Sequence, residues 1–202
     1  MKQLVFATHN PHKLDDVRRM LAGRYEVLGL NDIGCTEEIA ETAATFEGNA
    51  LLKAQHVKEH YGMDCFSEDT GLEVDALHGA PGVHTARYAG APRSAERNMN
   101  LLLKNLENCP LRTARFRTAM ALILGDETHL FHGVVEGTIL QAKTGEDGFG
   151  YDPIFRPDGY DTSFAQMTQE AKAEISHRGR ALRKLIAFLE ARATTPPAPP
   201  AK

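Results

Sequence analysis

Met63-Asp64-Cys65-Phe66-Ser67-Glu68-Asp69-Thr70-Gly71-Leu72-Glu73-Val74 is the stretch whose reading decides the fold. Residues 63–67 read as a short strand and residues 70–74 as a second extended piece, so the acid pair Glu68-Asp69 falls where a strand runs into a turn. Open α/β sheets place their chemistry at such strand ends. Adjacent carboxylates repel, and a chain that keeps them together compensates with a divalent cation or uses the repulsion to tune a pKa. The plain alternative is two solvated acids at the end of a strand, and the pair by itself leaves both readings open.

Outward from this stretch, strands and helices alternate. Lys2 to Ala7 reads as a strand broken by Thr8-His9-Asn10-Pro11. Leu14, Val17, Met20 and Leu21 follow at helical spacing, with Asn10 as N-cap, Pro11 at the first helical position and Gly23 as terminator. A second helix is predicted from Phe46 to Tyr61, capped by Thr45 and stopped by Gly62. Gly79-Ala80-Pro81-Gly82-Val83-His84 is rich in breakers. Ser94 caps a helix carrying Met99, Leu102, Leu103 and Leu106. Arg115 to Leu124 and Thr128 to Leu140 read as two long strands joined at Gly125-Asp126. Asp147 to Pro153 reads as a loop, Thr168 starts a short helix, and Ser176 caps the last one, with core stripe Leu182, Leu185, Ile186 and Leu189. The class is therefore α/β, and the antiparallel pair makes the sheet mixed.

A chain of 202 residues suits one sizeable domain, expected over residues 1–193. Residues 194–202, Thr-Thr-Pro-Pro-Ala-Pro-Pro-Ala-Lys, have almost nothing to bury and are expected as a disordered or polyproline-like tail. A net charge of −4 argues against broad nucleic-acid binding, which needs a basic face, yet leaves room for an anionic small ligand. Cys35, Cys65 and Cys109 have no CxxC spacing and no even count, so neither a zinc site nor a disulfide framework is expected, and a reducing cytoplasm fits. No apolar h-region stands at the N-terminus, and no run approaches a membrane span.

Four segments carry candidate chemistry. Thr8 to Lys13 joins a strand to a capped helix, where backbone N–H groups, the helix dipole and the Lys13 charge make a phosphate cradle or else a capped helix with a surface lysine. Glu41, Glu68 and Asp69 are candidate magnesium ligands, since that ion takes few protein carboxylates and completes its shell with water and phosphate oxygens. Phe149-Gly150-Tyr151-Asp152-Pro153 offers close backbone approach and aromatic faces for a base, or a structural turn with two core rings. Ser176-His177-Arg178-Gly179 places a planar donor fork at a helix start, suited to the two acceptors of a 6-keto purine edge and ill-suited to a 6-amino group.

Together these segments resemble the inosine triphosphate pyrophosphatase family, the non-standard purine NTP pyrophosphatases. The resemblance rests on Thr8-His9-Asn10-Pro11-His12-Lys13; on Glu41-Thr42 with Thr45-Phe46 and Asn49 to Ala54; on Glu68 to Leu77 with Gly79-Ala80-Pro81-Gly82 and Ala86-Arg87-Tyr88; on Gly148 to Phe155; and on Lys172 with Ile175 to Gly179. It implies Mg2+-dependent hydrolysis of ITP, dITP and XTP to the monophosphate and pyrophosphate. It also implies an elongated α/β fold with two lobes around a nucleotide cleft, a homodimer, and a cytoplasmic enzyme that removes deaminated purines from the nucleotide pool. By the same resemblance Asp69 is the catalytic base and, with Glu41, a metal ligand, Glu68 being a third candidate. Thr8, His9, Asn10, Pro11, His12, Lys13, Lys53, Thr70 and Lys172 lie near phosphates or nucleotide. Phe149, Gly150, Tyr151 and Asp152 form the base and sugar wall, and His177 and Arg178 read the keto edge. Two positions depart from the family's habit: Glu68 stands where many bacterial relatives have aspartate, and Ala171 where they often have an acid. A nucleotide sensor without turnover, and a hydrolase of modified pyrimidine triphosphates, are the other readings.

Overall fold

A computed structural model describes residues 2–194 of the chain. Six strands form one mixed sheet: β1 (Lys2–Phe6), β2 (Tyr25–Gly29), β3 (Cys65–Val74), β4 (Thr113–Leu124), β5 (Glu127–Ile139) and β6 (Phe155–Pro157), in the order β2-β1-β3-β4-β5-β6. The first three run parallel to one another, and β4, β5 and β6 continue the sheet antiparallel. Five α-helices flank it: α1 (Pro11–Leu21), α2 (Phe46–Tyr61), α3 (Ala95–Asn105), α4 (Gln169–Ile175) and α5 (His177–Thr194). The expected α/β class with a mixed sheet is the observed one, and the Asn10, Thr45, Ser94 and Thr168 caps all hold their helix starts.

β3 differs from the expectation. It is one strand of ten residues, and it does not turn at Glu68-Asp69. Every residue from Cys65 to Val74 pairs with β4, Glu68 opposite Met120 and Asp69 opposite Ala119. The Asp-Thr-Gly composition imitates a turn, but cross-strand pairing and burial on both faces outweigh that local preference. Gly71 serves close packing here, for a Cβ at that position would stand 2.4 Å from the Gly82 carbonyl oxygen and 2.5 Å from the Phe46 ring. Strands β2 and β6, five and three residues long, were not foreseen.

The core lies in three clusters. Leu4, Phe6, Phe66, Met120 and Leu122 point to one face of the sheet, covered by Val17 and Leu21 of α1 and by Leu182, Leu185, Ile186 and Leu189 of α5. Val5, Ala7, Cys65, Ala121 and Ile123 point to the other, covered by Ala50, Ala54 and Val57 of α2. Further along the long strands, Leu72, Val74, Phe116, Val135 and Ile139 pack with α3 and with Tyr151, Phe155 and Phe164. Residues 67–70 of β3 lie between the first clusters and the last, which places the acid pair at the junction. Among the described residues no helix is long and apolar enough to cross a membrane. The expected tail lies outside the described residues, apart from Thr194 at the end of α5.

α5 reaches β5 through Gly133. A Cβ there would stand 1.9 Å from the His177 carbonyl oxygen and 2.8 Å from the Ala181 nitrogen, both backbone atoms that cannot step aside cheaply. Gly133→Ala is therefore expected to cost on the order of 1–3 kcal/mol, the usual range for overpacking. Urea unfolding at neutral pH measures it, and an unchanged midpoint would show that α5 is free to shift.

Candidate active site

A cavity of about 860 Å³ opens at the junction. The end of β1, the start of α1, residues 36–41, the middle of β3, residues 149–152 and the α4–α5 connection all line it. Because neighbours on a strand point to opposite faces, Glu68 and Asp69 enter it from different sides of the sheet.

Asp69 is 8% exposed and faces α2. Its Oδ2 accepts from Asn49 Nδ2 at 3.0 Å and its Oδ1 from the Thr70 backbone N–H at 2.9 Å. Burial pushes its carboxyl above the usual aspartate value, Lys53 and Asn49 counteract, and Glu41 adds to the rise. Glu41 is paired with Lys53. Burial alone would raise Glu41, but the Lys53 charge and hydrogen bond outweigh it and hold the carboxyl below its ordinary value. Beyond the contacts of Cys35 and Glu37 with His56, residues 35–45 are joined to α2 at Glu41–Lys53 and by the Ala43 N–H that donates to Asn49 Oδ1 at 2.9 Å. Asn49 belongs to the Asn49 to Ala54 motif, and its role is structural support of Asp69. A buried asparagine among the apolar positions of a helix is the signal that marks it.

Glu68 is enclosed on the opposite face. Arg178 Nε lies 2.9 and 3.0 Å from its two oxygens, and Lys13 Nζ is 3.0 Å from Oε1. Burial would raise its pKa, but Arg178 and Lys13 hold it far below the usual carboxylate range. Glu68 is thus neutralised by two cations, as Glu41 is by one. Lys13 is itself half-buried, and desolvation lowers its pKa against the pull of Glu68. Asp16 Oδ2, 3.7 Å from Arg178 Nη1, brings a second carboxylate to the two cations.

The donors expected to cradle phosphate are partly occupied. Asn10 Oδ1 accepts from the backbone N–H groups of His12 and Lys13, at 3.0 and 3.3 Å. The Thr8 hydroxyl accepts from the Asn10 N–H at 3.1 Å. His9 is engaged with Asn31 and with the Glu37 carbonyl. Thr8, His9, Asn10 and Lys13 line the cavity, whereas Pro11 and His12 are exposed and stand outside its lining. The Thr70 and Thr118 hydroxyls are 2.7 Å apart.

The far wall holds the aromatic segment. Asp152 Oδ2 accepts from the Phe149 N–H at 2.8 Å and pairs with Lys172, so the loop is closed on itself and tied to α4. Phe149 is 42% exposed, with Lys172 Nζ 5.0 Å and the Arg178 guanidinium 5.5 Å from its ring centre. Tyr151 is buried, and its hydroxyl donates to the Thr85 carbonyl at 2.9 Å. Gly150 lines the cavity beside it. His177 stacks on Phe116 with ring centres 4.8 Å apart. Burial, with Arg178 adjoining, drives its pKa well below the ordinary histidine value, so the ring is neutral. Among the described residues two buried side-chain nitrogens lack a hydrogen-bond partner: His177 Nδ1 and Arg178 Nη2. The latter is 2.9 Å from Glu68 Oε1, close enough for charge attraction but without a directed N–H bond.

Comparison with known proteins gives consistent matches. A family model described as the Ham1 family matches residues 4–188. A dITP/XTP pyrophosphatase of Porphyromonas gingivalis is 53% identical over 190 residues, 94% of this chain and 98% of that protein. One of Christiangramia forsetii is 51% identical over 187 residues, 93% of this chain and 98% of that protein. The solved structure of the Staphylococcus aureus Ham1 protein superposes with a TM-score of 0.88 at 40% identity, covering 95% of this chain and all of that one.

Breaking one partner of a buried charge pair costs about 3–5 kcal/mol. Glu68→Gln, which leaves Arg178 and Lys13 uncompensated, is expected to lose stability on that scale at pH 7. A carboxyl with a depressed folded-state pKa contributes stability above its unfolded pKa of about 4.3 and loses it as pH falls below that value. The gap between wild type and variant in urea unfolding should therefore narrow from pH 5 toward pH 3. A gap independent of pH would refute the charge assignment.

Proposed function

The chain belongs to the Ham1 family, and on that premise we propose that the cavity hydrolyses ITP, dITP and XTP to the monophosphate and pyrophosphate. The observation that carries the choice of base is the unpartnered buried nitrogen His177 Nδ1 in the cavity wall, beside the Arg178 guanidinium. An unpaired buried donor costs about 1–3 kcal/mol, which an acceptor on the ligand relieves. A neutral imidazole with its proton on Nδ1 and a guanidinium N–H both suit a keto oxygen, and both reject a 6-amino group. Arg178, held by Glu68 through Nε and Nη2, sets its charge beside the base.

The acids divide the remaining work. Asp69 is a desolvated carboxylate held by two neutral donors, and Glu41 stands close enough to affect its charge. Two hard oxygen donors of this kind fit magnesium, which Asp69 and Glu41 would hold. When bound, the ion supplies neutralisation of phosphate charge and a more acidic water. Asp69, its basicity raised by burial, takes the proton from the attacking water. The oxygen adds at the α-phosphorus, the α–β anhydride bond breaks, and pyrophosphate leaves with the electron pair. Lys13 and Lys53 steady the phosphates, and Phe149 with the ring of Tyr151 forms the base wall. We extend the same reading to a homodimer acting in the cytoplasm, with residues 1–193 as one unit.

A panel of purine and pyrimidine triphosphates, with and without Mg2+, tests this reading. Pyrophosphate release from ITP and XTP and little from ATP is expected, and preference for a pyrimidine would overturn it. Asp69→Asn should lower kcat by at least about a hundredfold with the fold intact, the scale of a lost general base. Mg2+ at about 100 times its Kd should stabilise wild type by roughly 2.7 kcal/mol and leave Asp69→Ala unmoved. An equal shift in that variant would place the ion elsewhere.

A further inference from the structure

We propose that Cys35, Glu37 and His56 form a second cation site, for one thiophilic divalent ion such as zinc, separate from the carboxylates of Asp69 and Glu41. The three ligand atoms lie within 4.8 Å of one another. His56 Nε2 is the hub: it is 3.0 Å from Glu37 Oε1 and 4.0 Å from Cys35 Sγ. Zinc binds thiolate sulfur at about 2.3 Å and imidazole nitrogen or carboxylate oxygen at about 2.0–2.2 Å in a tetrahedron. Ligand atoms sharing such an ion therefore stand about 3–4 Å apart, the spacing found around His56. A sulfur, nitrogen and oxygen donor set suits zinc or cobalt and does not suit magnesium, which selects oxygen alone.

The surroundings fit as well. Cys35 is fully buried, His56 half-buried and Glu37 exposed, so the site is closed behind and open in front, leaving a path for entry and a fourth position for water. The His60 ring stacks on His56 with centres 4.2 Å apart. Outer contacts of this kind orient metal ligands. Without an ion, the trio is joined by an exposed His56–Glu37 contact, worth roughly 0–1 kcal/mol. On binding, the thiol proton leaves to solvent, the imidazole takes its Nδ1–H tautomer, and the Nε2 lone pair goes to the metal.

The location gives the site a consequence. Cys35 and Glu37 begin the irregular segment that carries Glu41, and His56 sits on α2 with Lys53 and Asn49. An ion there fastens the start of that segment to the helix that holds its other end.

The test is a Co2+ titration of the reduced full chain in excess Mg2+, which keeps the carboxylate site filled. One equivalent should bind with a sulfur-to-cobalt charge-transfer band in the near ultraviolet, a signature that carboxylates cannot give. His56→Gln, half-buried, and Glu37→Gln, exposed, should weaken binding at least tenfold with unchanged circular dichroism and unchanged turnover of ITP in Mg2+. Cys35→Ser should abolish the band. Amide exchange of residues 36–43 should slow on Zn2+ addition in wild type and not in His56→Gln. No charge-transfer band in wild type, or a band and affinity that survive His56→Gln, would overturn the proposal.

Discussion

The unbroken ladder between β3 and β4 is the constraint from which the site follows. Because pairing runs from Cys65 to Val74 without a turn, strand alternation sends Glu68 and Asp69 to opposite faces. Each then meets a different helix layer. Glu68 meets Lys13 and Arg178, and Asp69 meets Asn49 with Lys53 and Glu41 nearby. A turn at this point would have let both acids share one solvent shell. The ladder forces them into different electrostatic roles, one carboxyl held far below its ordinary pKa and the other raised above it.

Much of this was legible in the sequence. The helix caps could be read because Asn10, Thr45, Ser94 and Thr168 use side-chain chemistry that is local to a few residues. The long β4–β5 hairpin announced itself through its length and the Gly125-Asp126 turn. The α/β class with a mixed sheet matches the reading of alternating helices and strands with one antiparallel pair. What escaped was decided by partners remote in sequence. That Glu68 pairs with Arg178, 110 residues away, could not be read from its neighbours. Asp69-Thr70-Gly71 reads as a turn until β4 is laid alongside. Strands β2 and β6 are too short to carry a period, and the sheet edge organises them. The Cys35, Glu37 and His56 cluster could not be found by spacing, because a loop and a helix bring its members together.

The cavity is lined by opposed preferences. Lys13 and Arg178 face Glu68 and Asp16 on one side, and Asp69 with Glu41 places carboxyl groups on the other, with Lys53 paired to Glu41. Between these charged sides the wall carries the neutral His177 ring stacked on Phe116. Lys172 and Arg178 flank the Phe149 ring at the opening, so the aromatic face there is already polarised by two cations.

The amide of Asn49 has a direction. Its oxygen is held by the Ala43 N–H, so its NH2 group must point at Asp69. The second oxygen of Asp69 is held by the Thr70 N–H. Both oxygens therefore accept, and these two bonds favour the ionised carboxylate that burial disfavours. One of the two donors is aimed by the Ala43 N–H, so the segment that bears Glu41 also orients a hydrogen bond to Asp69.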